Sequence, residues 1–211
     1  MHYDLYVITD DGIAGDLSPD VVAERAIAGG ADIIQLRMKG RDCRDLVRAG
    51  KKIQAITRKT GTRLIINDRL DVAIACSADG VHLGQNDMRT DVARQLAPPG
   101  FIIGVSVGTV GGAVAAEQDG ADYVALSPVF PTRTKEDAGP GYGLERLREI
   151  RRAVSIPLIA IGGIDRHNVR DVIIAGADGI AVISAIVGSP DIIAASRELK
   201  TLVAESRKTV R

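Results

Sequence analysis

A short phrase recurs along this chain: GGADII at Gly29–Ile34, SADGVHL at Ser77–Leu83, GADYVAL at Gly120–Leu126 and GADGIAV at Gly176–Val182. Each copy puts a glycine or another small residue at the end of a stretch with helical period, then Ala-Asp, then an apolar run of strand length. One helix-to-strand connection is being reused, which constrains the chain to a fold where helices and strands alternate.

The remaining sequence obeys that rule. Strand-like runs fall at Leu5–Thr9, Asp32–Leu36, Arg63–Ile66, Gly80–Leu83, Ile102–Val105, Tyr123–Ser127, Pro157–Ile161 and Gly179–Ile183. Helical segments fall between them at Asp20–Ala28, Cys43–Lys59, Arg69–Cys76, Arg89–Leu96, Val110–Asp119, Gly143–Ala153 and His167–Ala175, with Asp191–Ser206 last. Strands that read as continuous apolar runs belong in a parallel sheet covered by helices. Eight such units predict an α/β chain of the (β/α)8 TIM-barrel class, one domain over residues 1–211, since barrels often reach this size. No Pro-, Gly- and Ser-rich linker marks a boundary, and the longest loop expected is Pro128–Tyr142. The apolar face of Asp191–Ser206 either closes the barrel or supports a homo-oligomer contact.

Charge and composition exclude some partners. Lys+Arg and Asp+Glu both total 27, so no net field draws the chain to nucleic acid or an anionic membrane. Aromatic residues are 3% of the chain with no Trp, a poor surface for stacking on bases. The longest apolar runs, such as Gly179–Val187, are too short for a membrane span, and the N-terminus lacks a signal pattern. A cytoplasmic protein is expected, with Cys43 and Cys76 reduced and acting as packing residues.

Between Leu64 and Asp87 two strands each exit into an acid, Asp68 after the first and Asp87 after the second. Carboxylates at the ends of neighbouring parallel strands can share Mg²⁺, which takes one or two protein carboxylates and fills its other positions with phosphate and water. Asp is also a favoured N-cap, so both have a capping reading, for helices starting near Arg69 and Met88.

The other strand ends are polar too: Thr9 and Asp10; Gln35, Arg37 and Lys39; Asn67; His82 and Gln85; Ser106; Thr132, Thr134 and Lys135; Gly162 and Gly163; Ser184. In a barrel these ends form the active-site rim. Three cations, Arg37, Lys39 and Lys135, beside two acids placed for a metal suit a diphosphate, although Arg37 and Lys39 also read as a solvated loop. IGGI at Ile161–Ile164 and AVISAI at Ala181–Ile186 fit the phosphate site built by the last two strand–helix loops. Two phosphate-type sites on one rim point to two phosphorylated ligands meeting. His82 reads as a hydrogen-bonded structural residue and Tyr6 as core.

Seven segments in order, YVITD at Tyr6–Asp10, QLRMK at Gln35–Lys39, NDRLDVA at Asn67–Ala73, DGVHLGQND at Asp79–Asp87, PVFPTRTK at Pro128–Lys135, AIGGI at Ala160–Ile164 and VISAI at Val182–Ile186, resemble the thiamine-phosphate synthase family. The resemblance runs from about Tyr6 to Ile186. It implies a (β/α)8 barrel that joins 4-amino-2-methyl-5-(diphosphooxymethyl)pyrimidine to 4-methyl-5-(2-phosphooxyethyl)thiazole and releases diphosphate. It also implies roles: Gln35, Arg37, Lys39, Asn67, Ser106 and Lys135 for the pyrimidine diphosphate, with Lys135, Arg37 and Ser106 catalytic. Asp68 and Asp87 would hold one Mg²⁺, and Thr132, Thr134, Gly163, Ile183 and Ser184 the thiazole phosphate.

Such a reaction needs charge neutralisation at the leaving group and placement of the nucleophile more than a protein base. That accounts for a sequence without a nucleophile–His–acid constellation. The thiazole tautomerase of the same family has no leaving diphosphate and no use for the acids and cations. A non-catalytic binder of the same precursors would keep the pocket without turnover. A phosphosugar isomerase or aldolase would want a catalytic Lys, Asp or His within a strand, and His82 alone qualifies. Gly and Pro in Glu136–Tyr142 lead to the expectation that this loop orders over bound substrates.

Overall fold

The computed structural model describes residues 3–132, 134 and 139–210. Eight strands, β1 (Leu5–Ile8), β2 (Ile33–Leu36), β3 (Arg63–Asn67), β4 (Gly80–Leu83), β5 (Ile102–Val107), β6 (Tyr123–Leu126), β7 (Leu158–Ile161) and β8 (Gly179–Val182), close in that order into a parallel barrel. Between them run α1 (Pro19–Ala28), α2 (Cys43–Thr60), α3 (Leu70–Ala75), α4 (Thr90–Leu96), α5 (Val110–Gln118), α6 (Gly143–Ala153) and α7 (Val169–Ile174). Every expected strand and helix is present, with ends shifted by a few residues.

The strands carry no exposed face. Leu64, Ile65 and Ile66 of β3 and Leu158, Ile159 and Ala160 of β7 are all 0% exposed, because one side fills the barrel and the other lies under helices. This double burial is why the strands read as unbroken apolar runs. After β8 the chain makes a short helix, α8 (Ser184–Val187), that the sequence pattern does not reveal because four residues are too few to show a period. The long α9 (Ile192–Val210) then packs on α1, α7 and α8 and covers the seam between the first and last strands. Among the described residues no helix is long and apolar enough to cross a membrane. Cys76 is buried at the end of α3, but Cys43 is exposed at the start of α2 and is not a packing residue.

The recurring Ala-Asp phrase has one physical job. Asp32, Asp79, Asp122 and Asp178 stand at the amino ends of β2, β4, β6 and β8. Each carboxylate accepts a backbone N–H from the first two residues of the preceding odd strand: Leu5 at 2.9 Å, Leu64 at 2.8 Å, Ile103 at 2.7 Å and Leu158 at 2.8 Å. Each also meets a cation: Lys200 at 2.6 Å, Arg63 at 2.7 Å, Arg94 at 2.5 Å and Arg151 at 2.6 Å. The barrel is thus clamped at its lower end in four equivalent pairs of strands.

The residue before each Ala-Asp adopts a left-handed backbone. Gly30, Gly120 and Gly176 have φ of 103°, 94° and 109°, whereas Ser77 fills the same place at φ 53°. A side chain there costs about 1–2 kcal/mol, offset in part by the extra unfolded-state freedom of glycine. Ser77 is exposed and its side chain makes no hydrogen bond among the described residues. Ser77→Gly is therefore expected to stabilise the fold by up to about 1 kcal/mol, or about 2–4 °C in Tm for a chain of this length. Thermal unfolding of the two proteins checks it, and a lower Tm would refute the strain.

Candidate active site

The carboxyl ends of the strands meet on one rim, and β2, β3 and β4 deliver its charged side. Arg37, just past β2, forms an ion pair with Asp10, just past β1, and both side chains are 12% exposed. The second oxygen of Asp10 accepts the Gly12 N–H at 3.0 Å, and the Arg37 N–H donates to Thr9 Oγ1 at 3.0 Å. Arg37 is therefore fixed rather than solvated. Its buried Nε has no hydrogen-bond partner among the described residues, so the guanidinium retains an unused donor. Lys39 is the solvated one, 62% exposed, and its ammonium reaches Asp68 Oδ2 at 2.6 Å.

Neither acid is a helix cap. α3 begins after Arg69 and α4 after Arg89, so Asp68 and Asp87 lie outside the capping positions. Asp68 instead ends β3 in a left-handed conformation, φ 62°, with its N–H donating to the His82 carbonyl at 2.8 Å. This backbone state is uncommon for a non-glycine residue and directs the carboxylate toward its neighbour. Asp87 Oδ2 accepts the Gly84 N–H at 2.7 Å.

The two carboxyls hydrogen-bond to each other. Burial pushes Asp87 up, and the hydrogen bond and charge of Asp68 push it further, against the Gly84 amide. Burial acts on Asp68 in the same sense but is outweighed by Lys39 and by Asp87, so Asp68 stays below the ordinary carboxylate range. Two hard oxygen donors whose mutual repulsion is relieved by a proton and an ammonium fit a divalent cation, which would replace both. Among the described residues no group of three or more His, Cys, Asp or Glu side chains could hold a metal, so such an ion would draw its remaining ligands from water and substrate oxygens.

Across the rim lies a cavity of about 280 Å³ whose wall includes Ser106, Thr132, Thr134, Gly162, Ile183 and Tyr142. Past β6 the chain still follows β7, with Val129 N–H on Ile161 O at 2.8 Å and Phe130 N–H on Gly162 O at 3.1 Å, which sets the two threonines against the glycine pair. Gly162 and Gly163 have φ of 100° and 63°, and a Cβ on Gly162 would fall 2.4 Å from Pro128. Gly163 and Ser184 flank this cavity without lining it, and Ser184 opens α8. The segment Gly84–Gln85–Asn86 lines it as well, so one turn separates the cavity from Asp87. Asn67, Asp68, Lys39 and Arg37 are not part of the cavity wall.

Gln35 does not stand on the rim. It is 2% exposed, and its amide nitrogen donates to the Tyr6 hydroxyl at 2.6 Å inside the barrel. Tyr6 meets Tyr123 at 3.1 Å, Tyr123 meets His82 Nδ1 at 2.9 Å, and His82 Nε2 meets Ser106 Oγ at 2.9 Å. His82 is thus hydrogen-bonded as expected, and Tyr6 is buried. Nothing in the sequence marks Tyr123, since a tyrosine within a strand reads as core. Asp10, the partner of Arg37, is visible only as an acid at the end of β1. Lys135 lies outside the described residues, as do residues 136–138 of the loop Glu136–Tyr142.

A closed parallel barrel, an acid pair beside cations, and an adjoining hydroxyl- and glycine-walled cavity define a (β/α)8-barrel enzyme of small anionic substrates. The family profile described as thiamine monophosphate synthase matches residues 5–186. The thiamine-phosphate synthase of Methanoregula boonei is 58% identical over 100% of this chain and 98% of that protein. That of Methanocella arvoryzae is 55% identical over 98% of each. The solved thiamine phosphate pyrophosphorylase of Pyrococcus furiosus superposes with a TM-score of 0.89 at 43% identity, covering 96% of both chains. This chain belongs to the thiamine monophosphate synthase family, transferases of thiamine biosynthesis.

The acid pair has a signature that requires no substrate. The raised Asp87 gives stability that is full below the unfolded carboxylate range and is lost as pH rises through its folded value. The lowered Asp68 does the opposite, giving stability that is lost on acidification. Asp87→Asn keeps an acceptor for Gly84 and gains a permanent donor for Asp68. In the presence of a chelator at neutral pH it should raise stability by at most about 1 kcal/mol, since water screens a half-exposed pair, or about 2–4 °C in Tm. The gain should shrink as the buffer is acidified. Melting curves across pH test this, and a gain that grows toward acid would contradict the coupling.

Proposed function

We propose that the chain joins 4-amino-2-methyl-5-(diphosphooxymethyl)pyrimidine to 4-methyl-5-(2-phosphooxyethyl)thiazole, giving thiamine phosphate and diphosphate. The observation that carries this reading over a tautomerase or a binder is the Asp68–Asp87 pair. A reaction without a departing diphosphate has no use for two coupled acids under a lysine. Relatives of more than half identity over nearly the whole chain, named thiamine-phosphate synthase, support the same reading.

The bond from the exocyclic methylene to the diphosphate oxygen breaks, and diphosphate leaves with the electron pair. Positive charge develops on the methylene and is spread into the aminopyrimidine. The thiazole nitrogen then supplies its lone pair to form the new C–N bond, so no protein base takes a proton. Arg37 contributes its fixed positive charge beside the diphosphate, and Lys39 exchanges Asp68 for a diphosphate oxygen. Lys135 adds a third cation, and Asn67 and Ser106 hydrogen-bond the same substrate. Asp68 and Asp87 would hold Mg²⁺, which would supply charge neutralisation at the leaving diphosphate. Thr132, Thr134, Gly163, Ile183 and Ser184 hold the thiazole phosphate, so that the ring nitrogen can approach the methylene directly. Substrates this small, and a chain without net charge, suit a cytoplasmic enzyme.

Mixing the purified protein with both substrates should yield thiamine phosphate by mass spectrometry with Mg²⁺ present and little in chelator. A metal that stabilises leaving-group charge contributes several kcal/mol, so Asp87→Ala should lower turnover at least about a hundredfold. Near wild-type turnover in Asp87→Ala with Mg²⁺ would remove that acid from the metal site. Absence of product from folded wild-type protein would overturn the synthase reading.

A further inference from the structure

The hydrogen bonds inside the barrel form one line from Gln35 through Tyr6, Tyr123 and His82 to Ser106, with separations of 2.6, 3.1, 2.9 and 2.9 Å. Such a line has a direction. Tyr6 accepts from the Gln35 amide and is 1% exposed, so its own proton has one acceptor within reach, the Tyr123 oxygen. Tyr123, 0% exposed, then gives its proton to His82 Nδ1. A neutral imidazole that accepts at Nδ1 carries its hydrogen on Nε2 and donates it to Ser106. The serine oxygen, receiving one hydrogen bond from behind, presents its own O–H to the cavity it lines.

We propose that Tyr123 and His82 are positioning residues that hold the Ser106 hydroxyl as a donor toward the anionic oxygens of the bound diphosphate. The opposite polarity would have Ser106 donating backward to His82 and facing an anion with lone pairs alone, which repels. The direction of the line therefore decides whether Ser106 attracts or opposes the leaving group. Several features of the packing keep it rigid. The His82 and Tyr123 rings stack at 5.6 Å and 26°, and Tyr6 meets Tyr123 edge-on at 6.1 Å. Gly104 leaves the Tyr123 ring its place, for a Cβ there would lie 2.0 Å from Cζ. Burial pushes both tyrosine hydroxyls far above their ordinary ionisation range, so neither loses the proton it must pass on. The Gln85 amide bonds the Ser106 carbonyl at 2.5 Å and holds the backbone beneath the hydroxyl.

The serine's effect on turnover rests on the synthase reading, but the direction of the line does not, and two measurements separate them. Imidazole ¹⁵N NMR of the substrate-free protein should show His82 protonated at Nε2 and unprotonated at Nδ1. A proton on Nδ1, alone or with Nε2, would mean that the line runs the other way and would overturn the proposal. In steady-state assays Tyr123→Phe keeps the ring and removes the hydroxyl. It should lower kcat about tenfold, less than the roughly 10²–10³-fold loss on deleting an oxyanion-hole donor outright, with KM for the pyrimidine diphosphate little changed. In a Ser106→Ala background the same substitution should have no further effect. A Tyr123→Phe protein that loses only thermal stability, or whose defect multiplies with Ser106→Ala, would assign the tyrosine a merely structural part. If Tyr123→Phe does not fold, the wild-type imidazole spectrum decides the matter.

Discussion

The carboxylate that opens each even strand is the interaction on which the molecule depends. A parallel barrel requires its first amide groups to be paired where no further strand residue can reach them, at an end crowded by helix-to-strand connections. Asp32, Asp79, Asp122 and Asp178 meet that need two strands at a time, and a cation neutralises each of them. Three of the four cations come from helices, α9 for Lys200, α4 for Arg94 and α6 for Arg151, so the same contact ties the outer layer to the barrel. Stability is concentrated at the lower end. The upper rim is left to carry groups that weaken a fold: like charges, a left-handed aspartate and a guanidinium with an unused donor.

This division explains what could be read from the sequence. The lower end repeats one solution, so it leaves a repeated phrase, and doubly buried strands leave apolar runs that need no partner to be recognised. Eight strands and the helices from α1 to α7 follow from those two signals. α8 escapes because it is shorter than one period of the pattern that would identify it. The fourth copy of the connection shows what a repeat conceals: Ser77 meets the same φ requirement as Gly30, Gly120 and Gly176, and the sequence alone presents it as just another small residue.

At the rim, legibility depended on chemistry that shows as residue type. Acids and cations after strands announced a polyanion site, yet the sequence left Asp68 and Asp87 open between capping and metal binding. What resolves the capping question is backbone geometry: the cap positions fall one and two residues later, at Arg69 and Arg89, and Asp68 has a left-handed backbone. Gln35 shows what residue type alone leaves out. Arg37 and Lys39 lie past the end of β2, whereas Gln35 is still within the strand and points into the barrel below them, where its amide donates to a tyrosine on another strand. Such partners are distant in sequence, and a residue type as common in cores as tyrosine gives no hint of them.

Burying a string of polar groups in a barrel interior is costly unless every member is paired, and a fully paired string is rigid for the same reason. The interior of this barrel departs from the usual apolar filling where Tyr6, Gln35, His82 and Tyr123 are linked by hydrogen bonds. Beyond them stands Ser106, on the cavity wall. A serine on a surface loop rotates its hydroxyl to suit the solvent, whereas one seated on a line of hydrogen bonds inherits an orientation from the residues behind it, of which Tyr6, Gln35 and Tyr123 are buried. The rim can then keep Lys39 and the acid pair loose enough to exchange partners, while the floor beneath them supplies a donor whose direction the core has already set.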